Sequence, residues 1–296
     1  MQPELIDVVF RSQKRKDLLL LLGEEPRTME EIKVLLDVSP TAILPQIKRL
    51  TDSDLVIQKN GSYELTDMGE QVFNKVRSLV DVLTLVEKNN YWIEHDLDGI
   101  PQYLLDRIGD IKDCNLVKAD PSQIFEPNTE LLDFFSSSRY LMVFSSFYRP
   151  EFLPLYSKLA RLESEVSLIF TESVLEKFLH NYERKIRKFT TMENTELSVC
   201  KDGVKIAELI VSDRGMMISL FDSQGRFYHE YMYCSEPQAI SWARELFDFY
   251  KSRALKVEGE KSIDNIICTS ENGTLFDSEM LNLHTDISKI LMHLQH

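Results

Sequence analysis

The chain has 296 residues and a formal net charge of -14, which excludes a uniformly basic nucleic-acid coat and makes the distribution of charge the informative quantity. With 43% hydrophobic residues it can build about two cored domains, and no apolar run reaches the roughly eighteen residues of a membrane span. Its four cysteines are scattered with no CxxC pair, which removes the main support for zinc-finger and thioredoxin-type readings and points to reduced thiols in a cytoplasmic protein.

Leu5, Ile6, Val9 and Phe10 recur at helical spacing and predict a first helix. Ser12 caps a second, which runs through Lys14, Arg15 and Lys16 to Leu22, with Gly23 as its stop. Thr28 and Glu31 form a capping box for a short third helix with Ile32, Leu35 and Leu36 as its inward stripe. Asp37-Val38 makes a tight turn, Ser39 caps the next helix, and Pro40 fills its first turn, where a missing N–H costs nothing. That helix is expected over 40–53, with Ile43, Ile47 and Leu50 inward and an awkward Pro45 in its interior. Leu55-Val56-Ile57 and Tyr63–Thr66 flank Asn60-Gly61, the preferred pair for a two-residue hairpin turn. Helix, helix, turn, helix, hairpin in this order predicts a winged helix-turn-helix over residues 1–70.

A recognition helix presents its N-terminal residues to base edges in the major groove. Gln46 suits adenine, Arg49 a guanine or a phosphate, and Thr41 a thymine methyl or a phosphate; Ser39 and Lys48 complete that surface. Lys14, Arg15 and Lys16 are placed to grip backbone, and Lys59 at the wing to meet the next phosphates. Beside each of these stands the plainer reading of a solvated surface charge. The first seventy residues are slightly acidic, so the expected grip on double-stranded DNA is modest, salt-sensitive and dependent on pairing two chains.

Thr66 caps a long helix from Asp67 to about Lys88. Within it Val72, Val76, Leu79, Leu83 and Val86 alternate four-three-four-three, a seam of about two heptads. It reads as a homodimer interface inside a helical linker over residues 71–112, or as a stripe packed on its own domain. Helices are expected next at Leu104–Ile111 and Glu130–Phe135. Tyr140–Phe144 and Val166–Phe170 read as buried strands separated by a helix at Phe152–Leu162. A helix at Val174–Phe189 follows, then strands at Glu196–Cys200, Ala207–Val211, Met216–Phe221 and Phe227–Tyr233, and a closing helix at Gln238–Leu255. The fold class is therefore α+β: an N-terminal winged helix-turn-helix, a connecting helix, and a C-terminal mixed α/β regulatory domain over residues 113–256. Residues 257–296 form an acidic C-terminal appendage with a short helix at Ser278–Leu294.

Three stretches resemble a known family. The run from Gln13 to Leu22, the recognition segment from Thr41 to Leu50, and Tyr91-Trp92-Ile93-Glu94-His95-Asp96-Leu97-Asp98-Gly99-Ile100-Pro101 look like archaeal winged helix-turn-helix regulators of the methanogenesis regulatory protein type. The resemblance covers about residues 1–255. It implies a transcription regulator of a methanogenic archaeon, with a DNA-binding domain in front of a regulatory one, and it makes Pro45 a family trait.

Enzyme chemistry has little to build on. There is no glycine-rich phosphate loop, no GxSxG and no HExxH, and the six histidines never form HxH or HxK. The reading is a non-enzyme with no metal, no cofactor and no membrane partner. A small-molecule effector is expected at the regulatory domain, where Tyr140, Phe144, Phe147, Tyr148, Tyr228, Tyr231 and Tyr233 line a pocket or pack a core. The basic stretch Arg184–Lys188 holds an anionic ligand or is solvated, and Cys200 and Cys234 lie near one another on strands, inert or redox-active. The alternative function is a ligand- or redox-responsive interaction adaptor whose winged helix binds protein instead of DNA.

Overall fold

The computed structural model describes residues 4–118, 129–257 and 263. The chain divides into two compact units, Met1–Thr84 and Leu85–His296.

The first unit opens with α1 (Leu5–Phe10) and α2 (Gln13–Leu22), then a two-residue strand β1 (Arg27–Thr28) and α3 (Met29–Leu35). The recognition helix α4 (Pro40–Thr51), the hairpin β2 (Val56–Lys59) and β3 (Ser62–Leu65), and the connecting helix α5 (Asp67–Lys88) follow. Local chemistry explains most of these limits. The Thr28–Glu31 capping box is present in both directions, so two orphan N–H groups at the start of α3 are satisfied. The Thr66 hydroxyl accepts from the Gly69 N–H at 3.0 Å and starts α5. Asn60 and Gly61 both take positive φ, 50° and 84°, which turns the hairpin and pairs Lys59 with Ser62. Strand β1 adds to β3, giving the order β1-β3-β2; two residues carry too little periodicity to announce it.

Three details of this unit differ from the sequence reading. Ser39 and Ser12 occupy N-cap positions without a side-chain cap bond; the Ser39 hydroxyl pairs with that of Thr41 at 3.0 Å. Leu35 is exposed, so Ile32 alone holds the centre of α3. Gly23 ends α2 in a right-handed conformation; its missing side chain leaves room for the Phe73 ring, which an added Cβ would meet at 2.3 Å. Helix α4 runs through Pro45 as one element. Ile43, Ile47 and Leu50 sink with Leu18, Leu19 and Leu22 into one cluster, and each such fully buried side chain contributes about 1.5–3 kcal/mol of transfer free energy.

The second unit wraps residues 91–111 onto a large sheet. Two short helices, α6 (Tyr91–Glu94) and α7 (Gln102–Leu105), precede a 3-10 turn at Ile108–Ile111 and strand β4 (Asn115–Lys118). Helix α8 (Thr129–Phe135) leads into β5 (Tyr140–Ser145), α9 (Leu153–Arg161), β6 (Glu165–Thr171), α10 (Glu172–Thr190) and β7 (Thr195–Cys200). Then come β8 (Ile206–Ser212), β9 (Met216–Leu220), β10 (Glu230–Cys234), α11 (Pro237–Lys251) and β11 (Leu255–Lys256). The sheet order is β11-β7-β6-β5-β8-β9-β10-β4. Among the described residues β5, β6 and β7 are the mutually parallel strands, linked by the α9 and α10 crossovers. Val143 and Phe144 are neighbours on β5 and point to opposite faces: Val143 joins the α9–α10 cluster, while Phe144 stacks on Tyr250 of α11. Helices on both faces explain why every residue of β8 and β9 is buried.

The expected mixed sheet is present, with corrections at its margins. Edge strands β4 and β11 were not anticipated, and Leu255 belongs to β11 rather than to the closing helix. Residues 227–229 lie before β10, in a segment where His229 has φ 55°. Helix α10 bends at Tyr182, whose φ of -139° is not helical. The Tyr91–Pro101 motif ties the chain down: Leu220 N–H donates to the Tyr91 hydroxyl at 2.8 Å, Asp96 N–H to Phe221 O at 2.8 Å, and the Tyr250 hydroxyl to Gly99 O at 2.5 Å. Val257 and Ile263 are buried in the core of this unit, and the helix expected at Ser278–Leu294 lies outside the described residues. Among the described residues no helix is long and apolar enough to cross a membrane.

Candidate nucleic-acid interface

Helical spacing sorts the side chains of α4 into three strips. Ile43, Ile47 and Leu50 face the core. Thr41, Pro45 and Lys48 stand on the opposite, exposed side. Gln46 and Arg49 lie on the flank toward α1 and α2, where Gln46 is half-buried and Arg49 exposed.

That flank is a notch of about 360 Å³, lined by Asp7, Val8, Arg11, Ser12, Arg15, Gln46 and Arg49. Arg15, Gln46 and Arg49 therefore come together as the sequence alone could not show. Arg15 is the correction here. It is only 3% exposed and points inward, so it is no free backbone clamp beside Lys14 and Lys16. Its guanidinium donates to Asp7 O at 3.4 Å, and its Nε has no partner. Burial first, and then the neighbouring Arg49 cation, pull its pKa below the usual arginine value.

Ion pairing separates the cations of this unit. Arg11 pairs with Asp7, Arg27 with Glu25, Lys33 with Glu30, and Arg77 with Glu24. Lys59 on the wing pairs with Glu64 at 2.5 Å, and this bond raises its pKa; its charge is committed to its own hairpin, which corrects the picture of a free wing cation. Such exposed pairs are weak and salt-screened. Among the described residues, Lys14, Lys16, Lys48 and Arg49 have no such pair, and they lie on the first turn of α2 and the last turn of α4.

The heptad seam divides. Val76 is buried in the core of the first unit and Val72 packs against it, so both serve their own domain rather than a partner. Leu79 and Leu83 remain 46% and 48% exposed, and Val86 is half-buried. The sequence reading missed that α1 turns Val8 and Val9 inward and leaves Leu5, Ile6 and Phe10 exposed. Placing Leu5, Ile6, Val9 and Phe10 on one stripe hid this, because a six-residue helix holds less than two turns of pattern.

In the second unit the cysteine expected near Cys234 is the wrong one. Cys200 lies on β7, and in the sheet order β6, β5, β8 and β9 stand between β7 and β10. Tyr140, Phe144, Tyr148, Tyr231 and Tyr233 are spent largely on packing, Tyr148 against Phe178 and Tyr233 against Phe134. Phe147 stacks with Phe227 beside His229, and Tyr228 is exposed. No cluster of three metal-ligating side chains occurs among the described residues.

Residues 124–253 match the family described as methanogenesis regulatory protein FilR1, middle domain, and residues 3–88 match the HVO_A0261 N-terminal domain. The chain is 24% identical over 262 residues to the methanogenesis regulatory protein FilR1 of Methanothrix harundinacea (strain 6Ac), covering 86% of this chain and 58% of that protein, so it spans a little over half the length of this relative. Among solved structures it is similar to TrmBL2, an archaeal chromatin protein whose structure shows a novel mode of DNA binding, at 12% identity and TM-score 0.41 over 83% of this chain and 94% of that one. It is also similar to the phosphatidylserine synthase of Haemophilus influenzae Rd KW20, at 12% identity and TM-score 0.36 over 74% and 55%. Both scores are too low to bear on fold or function. The two family matches fall on the two units just described, and with the relative they support the archaeal winged helix-turn-helix regulator family of the methanogenesis regulatory protein type that the sequence resembles.

Proposed function

We propose that this regulator is a sequence-specific DNA-binding protein that lays α4 in the major groove as a homodimer and is modulated through its second unit. One observation carries the reading: the unpaired cations Lys14, Lys16, Lys48 and Arg49 gather on α2 and α4, while most other cations of the first unit are already paired. In an acidic chain, positive charge left without a partner on a recognition helix is suited to phosphate. Thr41 and Lys48 would face the groove, with Ser39 at its entrance. Gln46 and Arg49 would meet a phosphate at the notch. Pairing would use the exposed Leu79 and Leu83, with Leu5, Ile6 and Phe10 as further apolar surface.

The test is fluorescence anisotropy of the full chain on duplexes from its own upstream DNA across a salt series. Log affinity should fall linearly with log salt, and Lys48→Ala or Arg49→Ala should lower the slope by about one each. A chain indifferent to duplex at low ionic strength would remove this reading and leave the interaction adaptor.

A further inference from the structure

We propose that Cys114 and Cys234 form a reversible oxidation site, closing an intramolecular disulfide across the β4–β10 edge of the sheet with a low-molecular-weight disulfide as oxidant. The site stands whether or not the winged helix grips DNA.

Register brings the two together. Strands β10 and β4 are antiparallel, pairing Glu230 with Lys118 through to Tyr233 with Asn115. One further step sets Cys234 opposite Cys114. Directly opposed residues in such a pair have Cα atoms about 4.5–5.5 Å apart, inside the roughly 4.4–6.8 Å that a disulfide spans. The two thiols lie close enough to perturb each other's ionisation, and both cysteines are free.

The pair is chemically unequal. Contact with Cys114, helped by the backbone N–H of Glu236 and against burial, pulls the Cys234 thiol down. The same contact, followed by desolvation, drives Cys114 up. With the two thiols opposed across the strand pair, one sulfur can attack and the other resolve. Cys200 shows the contrast, since burial first and then nearby carboxylates push it up to about 12. Both members of the pair are buried, but among the described residues β4 is a four-residue edge strand paired with β10, and edges open at lower cost than central strands. Lys88, the last residue of α5, donates to Asp113 O at 3.1 Å, so the site adjoins the end of the connecting helix.

The exchange balances without a metal. The Cys234 thiolate attacks one sulfur of RSSR and expels RS⁻. Cys114 loses its proton to solvent and attacks the Cys234 Sγ, expelling the second RS⁻. Two protein thiols and one RSSR become one protein disulfide and two RSH, the protein giving up two electrons and two protons.

The experiment equilibrates the full chain in glutathione buffers of rising oxidised fraction, traps thiols under denaturing conditions, and maps the peptides. Of the four cysteines, two should resist alkylation, with the Cys114 and Cys234 peptides cross-linked and released by dithiothreitol. The Cys200→Ser variant should behave the same, and Cys114→Ser should stop at a glutathione adduct on Cys234. Four alkylated thiols in fully oxidised buffer, a cross-link involving Cys200 or Cys268, or a terminal adduct on Cys234 in the unsubstituted chain would each overturn the proposal. The map of the unsubstituted chain needs no variant to fold.

Discussion

Gly23 and Asp222 show how single side chains set local tolerance. An alanine at position 23 would press its Cβ to 2.3 Å from the Phe73 ring, so Gly23→Ala should lower the melting temperature, and Phe73→Ala in the same chain should recover part of the loss. Asp222 loses some ease of ionisation to burial, but the N–H groups of Arg226 and Gln224 and the Arg226 guanidinium outweigh this and hold it at about 2. A depressed carboxyl pKa stabilises the fold above its unfolded value, and that stability drains away as pH falls through the folded one. Between roughly pH 4 and pH 2, urea midpoints of the native chain should therefore fall more steeply than those of Asp222→Asn. Neither effect can be read from sequence. The Asn60-Gly61 turn and the Thr28–Glu31 box were legible because their partners lie within four residues, whereas the burial of Arg15 depends on α1 and α4 arriving from elsewhere.

Helix α5 shows the same boundary at the next scale. Its heptad spacing was plain, yet spacing does not say which protein supplies the facing surface, and Val76 and Leu83 have opposite fates on one stripe. Truncating Val76 to Ala should cost stability, on the order of 1–3 kcal/mol for a buried branched side chain. Leu83→Asp should leave the melting temperature within a degree or two of native and shift sedimentation velocity toward a single chain; an unchanged sedimentation coefficient would detach pairing from this helix. Strands β1, β4 and β11 were invisible for a related reason. At two to four residues they exist only through what they pair with, while β5 and β6 declare themselves by continuous apolar runs.

At the scale of the whole chain each compact unit has its own core, the first around Ile43 and Leu19, the second including Phe170 and Leu168. Calorimetry should resolve two transitions, and Ile43→Ala should lower one midpoint while leaving the other in place. The order of elements, and hence the α+β class, was recoverable because each unit repeats its pattern over many residues; the notch on α4 was not, since it is assembled from three helices. That notch also sets a limit on improvement. Three guanidinium groups, those of Arg11, Arg15 and Arg49, line it with the single carboxylate of Asp7, so the resting fold carries an excess of positive charge there. On the proposed reading, a change that relieves the crowded cations in the empty protein would weaken its hold on phosphate, and one that adds positive charge would make the empty notch less stable.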